Sequence, residues 1–195
     1  VDGLCEQSQA MISSEDGITF DNFNGKKQII PPVTDLEIGH PYECRDPKVR
    51  RENGRYFMCL ASSYKKEEGV LLIYTSDDGE NWTYLNRLQD KQFGTVLECP
   101  DVFCIDGQHI LIASPIGVLN GTDYPGNQST MQKLSFDAED GSMALESEAQ
   151  FLDYGMDLYA PQSCIDEAGR RCVIAWVRMP IPQSPDDNEA ADGRP

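Results

Sequence analysis

The feature that most limits the fold is a succession of strand-length apolar runs, each closed off by a hairpin signal. RYFMCLA at 55–61, VLLIY at 70–74, HILIA at 109–113 and CVIAWV at 172–177 are rich in β-branched, aromatic or leucine residues. Asn53-Gly54 separates KVRR from RYFMCLA, Asp106-Gly107 separates DVFCI from QHILIA, and Glu167-Ala168-Gly169 separates QSCID from RRCVIAWV. Asn-Gly and Asp-Gly favour the tight turns whose twist matches that of paired strands. No stretch holds a helical period for long; residues 138–150 come nearest and are ambiguous. The chain therefore reads as all-β.

A repeat organises these strands. Ser14-Glu15-Asp16-Gly17-Ile18-Thr19-Phe20 matches Ser76-Asp77-Asp78-Gly79-Glu80-Asn81-Trp82 at a distance of 62 residues. In each copy Asp is suited to accept bonds from turn amides, Gly supplies a positive φ, and the aromatic is expected to pack under the hairpin. Units of about four strands repeating every 40–65 residues are the signature of propeller blades. The expected layout is two strands near 7–24, four over 46–88, four over 101–153 (the last a weak one near 146–152) and two over 162–179. That makes about three blades, with 1–179 as the central part of a propeller and 180–195 as a loop or frayed end.

Charge narrows the partners. Sixteen basic against 33 acidic residues give a net charge of −17, which disfavours nucleic acid and anionic membrane surfaces. The seven cysteines are odd in number, none lies in a CxxC pair, and there are two histidines. An ordinary zinc site is not expected, and reduced thiols point to a cytoplasmic protein. Three N-x-S/T sequons, at Asn81, Asn120 and Asn127, would matter only in a glycosylating secretory route.

In a propeller the innermost strand of each blade lines the central channel. Three such strands are visible, each entered through a polar cluster: Glu43-Cys44-Arg45-Asp46-Pro47, Glu98-Cys99-Pro100-Asp101, and Asp157-Leu158-Tyr159-Ala160-Pro161-Gln162. Asp46 and Glu98 lie 52 residues apart, about one blade, and are read as equivalent points of neighbouring blades. Two carboxylates meeting at a channel mouth suit glycoside cleavage, where one protonates the leaving oxygen and another faces the anomeric carbon.

Arg45-Asp46-Pro47, Glu98-Cys99 and the segment from Asp153-Tyr154-Gly155 to Gln162 occur in the order and at the spacing of glycoside hydrolase family 32, which the chain resembles from Gln7 to Val177. The resemblance implies a five-bladed propeller that hydrolyses β-fructofuranosides (sucrose, sucrose 6-phosphate or fructans) with retention and without cofactor or metal. By it Glu98 is the general acid/base and Asp46 stabilises the transition state, with Arg45 beside it. Cys99, Asp157, Tyr159 and Trp176 would line the fructose pocket. The family's nucleophile lies in a WMNDPNG-like motif that these 195 residues do not contain, so the isolated chain is expected to be inactive. Open blade edges would favour self-association. Two other readings stay open: a related propeller glycosidase acting on arabinose or xylose glycans, and a non-catalytic carbohydrate-binding propeller.

Overall fold

The computed structural model describes residues 5–118, 128–155 and 157–177. The expected tail from 180, and the sequons at Asn120 and Asn127, lie outside these residues. The first pair of strands is β1 (Gln9–Met11) with β2 (Lys27–Ile30), antiparallel. A complete four-stranded antiparallel sheet follows: β3 (Cys44–Glu52), β4 (Arg55–Tyr64), β5 (Glu68–Ser76) and β6 (Thr83–Gln89). A single 3-10 turn at Lys91–Phe93 leads to the next sheet, β7 (Val96–Ile105), β8 (Gln108–Ile116), β9 (Thr130–Phe136) and β10 (Met143–Leu145). The short β11 (Gln150–Phe151) also pairs with β9. The hairpin of β12 (Leu158–Ile165) and β13 (Arg171–Val177) ends the described chain.

The blades are joined by alternation. On β4 and β5 nearly every side chain is buried, because both faces of this sheet are covered. Phe57, Cys59, Leu71 and Ile73 point one way and join Leu97, Val102, Leu111 and Leu134 of the next sheet. Met58, Leu60, Val70, Leu72 and Tyr74 point the other way and join Ile30 and Val33. Sheets stacked face to face about their inner strands are propeller blades.

The turn chemistry follows the sequence. Asn53 and Gly54 both have positive φ (51° and 84°), as do Asp106 and Gly107 (50° and 82°), the geometry of type I′ hairpins. Gly94 is fixed more tightly. It sits at φ 62°, and a Cβ there would lie 1.9 Å from the Ile116 carbonyl oxygen.

Three expectations need correction. The second strand of the first unit is at Lys27–Ile30 and not within 7–24, because the first repeat copy is spent on an exposed turn inside the connecting loop. In that copy Phe20 is 43% exposed, whereas Trp82 of the second copy is packed against the core beside Tyr84. The ambiguous stretch at 138–150 is turn and strand: Asp137 and Asp140 side chains cap turn amides at Glu139 and Ser142 and leave β10 to pair with β9. The weak last strand expected near 146–152 is reduced to the two residues of β11, and the outer strand β10 lies just before that range.

Candidate active site

The inner strands β3, β7 and β12 share one irregularity. Each skips two residues in its pairing to the next strand: Asp46-Pro47, Cys99-Pro100 and Ala160-Pro161. Proline has no N–H to give the ladder, and it bars the preceding residue from the right-handed helical region. Here that residue takes the left-handed conformation, with φ 58° at Asp46, 52° at Cys99 and 52° at Ala160. A non-glycine residue there costs on the order of 1 kcal/mol and persists only where the surroundings over-determine it. Two of the three amides are held from the neighbouring blade. The Cys99 N–H donates to Asp46 Oδ2 at 2.9 Å, and the Ala160 N–H donates to Ser114 Oγ at 3.1 Å.

The bulges fix which residues are equivalent. Arg45, Glu98 and Tyr159 are the last paired residues before each bulge, Asp46, Cys99 and Ala160 occupy it, and Lys48, Asp101 and Gln162 are the first paired after it. Asp46 and Glu98 are therefore not equivalent, which corrects the expectation drawn from their spacing. The equivalent pairs are Arg45 with Glu98 and Asp46 with Cys99, each 53 residues apart.

This register brings the three residues before the bulges together. Arg45 donates to Glu98 Oε1 through Nε at 3.1 Å and Nη2 at 2.7 Å. The Tyr159 hydroxyl donates to Glu98 Oε2, so both carboxyl oxygens are gripped from neighbouring blades. Arg45 also pairs through Nη1 with Glu43. Burial works against the Arg45 charge, but its hydrogen bonds to Glu43 and Glu98 outweigh it and hold its pKa above the ordinary arginine value. On the adjoining bulge, burial and then the Asp46 carboxylate push the Cys99 thiol up to about 12. Cys99 is thus half-buried beside the acids, in surroundings that disfavour its thiolate.

Two expected residues remain, one just before the last hairpin and one on its second strand. Asp157 is half-buried immediately before β12. Trp176 is 61% exposed on β13, in register with Tyr159. Sequence reasoning named Glu43, the second partner of Arg45, and Asp101 only as members of the strand-entry clusters and gave them no role, and it gave none to Lys48 or Ser163 beneath the bulges. The signal for Lys48 and Asp101 was present. Aligning the prolines of RDPK, ECPD and YAPQ superposes the strands, whereas aligning the acids displaces them by one residue. Among the described residues no group of three or more His, Cys, Asp or Glu is placed to hold a metal ion.

Inner strands of stacked antiparallel blades that carry acids into one cluster define the propeller glycosidases as a class. Residues 2–191 match the family model for the glycosyl hydrolases family 32 N-terminal domain, and the chain belongs to that family. It is 36% identical over 175 residues to a probable sucrose-6-phosphate hydrolase of Psychromonas ingrahamii, covering 89% of this chain and 31% of that protein. It is 31% identical over 191 residues to the sucrose-6-phosphate hydrolase of Bacillus subtilis, covering 92% and 37%. The Bombyx mori family 32 beta-fructofuranosidase superposes with a TM-score of 0.75 at 30% identity, covering 87% of this chain and 36% of that one. A mutant of that enzyme in complex with sucrose superposes with a TM-score of 0.74. The chain thus spans about a third of the length of the relatives it matches.

Proposed function

We propose that this chain is part of a retaining β-fructofuranosidase acting on sucrose, sucrose 6-phosphate or fructans. The observation that carries the reading is Glu98, a half-buried carboxyl held at both oxygens by Arg45 and Tyr159. Family membership and the sucrose complex of the Bombyx mori relative support the choice of sugar.

In this reading Glu98 gives its proton to the glycosidic oxygen as the bond to the anomeric carbon breaks. A second carboxylate bonds to that carbon, and Glu98 then takes a proton from the water that releases fructose. Arg45 and Tyr159 orient the carboxyl and stabilise it while it is ionised between the two steps. Asp46 holds fructose hydroxyls and favours the positive charge of the transition state, and Cys99, Asp157, Tyr159 and Trp176 line the pocket. The attacking carboxylate is not assigned to any residue of this chain, so the 195 residues alone do not turn over sucrose.

The test is a sugar panel on the intact protein. Release of fructose from sucrose, sucrose 6-phosphate or inulin, with none of arabinose or xylose from their glycans, supports the reading. Release of pentose alone would move the protein to a related propeller glycosidase. Binding of fructosides without release from any of them would make it a carbohydrate-binding propeller.

A further inference from the structure

Below the three bulges lies a charged group that the chemistry above does not use. Asp101 is 1% exposed, the first paired residue after the bulge of β7. Its Oδ2 accepts from the Ser163 N–H and the Ser163 hydroxyl, each at 2.7 Å, and lies 3.2 Å from Lys48 Nζ. Lys48 Nζ also donates to the Ser163 carbonyl at 2.6 Å. Arg171 Nη1 donates to the Ser163 hydroxyl at 2.8 Å. One oxygen of one carboxylate therefore ties β3, β7 and β12 together, directly under the bulges that present Arg45, Glu98 and Tyr159.

A buried carboxylate held by a single lysine and one serine is a poor device for stability, because removing both charges from water costs about as much as their attraction returns. It is a good device for register, because a displaced strand would leave Asp101 or Lys48 without its partner. The bulges above it need such a device, since each holds a non-glycine residue in a strained conformation. We propose that Asp101, acting with Lys48 and Ser163, is a positioning residue that locks the three inner strands so that the Glu98 carboxyl meets Arg45 and Tyr159. The proposal rests on the reading of Glu98 as the acid/base and deepens it.

The test is Asp101→Asn in the intact protein, which keeps the shape of the side chain and removes its charge. Steady-state fructose release, corrected by thermal melting for the folded fraction, is expected to fall about 10-fold to 100-fold in kcat, with KM near the wild-type value. Cysteine alkylation by iodoacetamide, mapped to each peptide, reads the geometry without catalysis. Cys99 sits in the β7 bulge and is expected to react several-fold faster in the variant. Cys44, buried on the far side of β3 and bonded to Gln7 and Gln9, is expected to stay as protected as in the wild type. Cys59 is not a fair control, because the Asp101 charge acts on its thiol directly. Unchanged Cys99 labelling, a parallel rise at Cys99 and Cys44, or a wild-type kcat per folded molecule would each overturn the proposal. A wild-type protein that releases no fructose would sink the functional reading instead, and the labelling pair would still decide the positioning claim.

Discussion

At the scale of single residues, the site depends on three side chains that meet because each precedes a proline-bearing bulge. Tyr159 contributes one hydroxyl to this meeting, and its ring is otherwise buried. Tyr159→Phe removes the hydrogen bond without emptying the space. It is expected to lower kcat about 10-fold, the worth of one hydrogen bond to a charged group, and to leave the melting temperature within a few degrees of wild type. Steady-state kinetics beside a thermal melt would show it. Arg45→Lys is not conservative here, because a lysine cannot bond Glu98 and Glu43 through separate nitrogens of one plane. It is expected to cost more in kcat than the tyrosine change. The residue types of the site were legible in the sequence. Their alignment was not, because a spacing of 52 between two acids resembles a blade repeat as well as the true spacing of 53 does. The prolines of RDPK, ECPD and YAPQ separate the two registers, but that they and not the acids mark the equivalent points is declared by the backbone pairing at the bulges.

At the scale of elements, the repeated turn is the best-read part of the chain. Asp78 Oδ1 accepts from the backbone N–H groups of Glu80 and Asn81, each at 2.8 Å, and Ser76 Oγ accepts from Gly79 N–H at 2.9 Å. Asp16 and Ser14 repeat the same bonds with Ile18, Thr19 and Gly17. Serine, aspartate and glycine at those offsets specify the turn by local chemistry alone, which is why the sequence shows it. The strand on either side is decided by tertiary packing. The second copy therefore leads into β6 while the first lies in an open loop. Bonds to Asn81, first from its backbone N–H and then from its side chain, hold the Asp78 carboxyl below the usual range. A depressed folded-state pKa gives stability that is present above the unfolded value near 3.8 and is lost as pH falls through the folded one. Asp78→Ala is therefore expected to lower the melting temperature at pH 7 and to flatten its decline between pH 5 and 2. An unaltered acid limb would contradict this. Gly94→Ala forces a Cβ onto the Ile116 carbonyl at positive φ and is expected to cost about 1–3 kcal/mol or more, read by chemical denaturation.

At the scale of the molecule, the blades are bound by interdigitating core side chains, and the inner strands by a few buried polar contacts. The core was legible because alternation along β4 and β5 places apolar residues on both faces, which only a sheet covered on both sides would tolerate. The contacts between inner strands were not legible, since they join residues up to 115 positions apart. β13 presents Val173, Ile174, Trp176 and Val177 to solvent. Through this exposed terminal strand, apolar on both of its sides, the isolated 195-residue chain is expected to self-associate, with light scattering that rises with concentration. The account as a whole turns on Glu98, and the most direct measurement is fructose release from sucrose by the intact protein beside its Glu98→Gln variant. A fall in kcat of about 10²-fold to 10⁴-fold, with the variant as stably folded as the wild type, is the predicted result. Turnover undiminished by Glu98→Gln would show that the proton comes from elsewhere and would contradict the account.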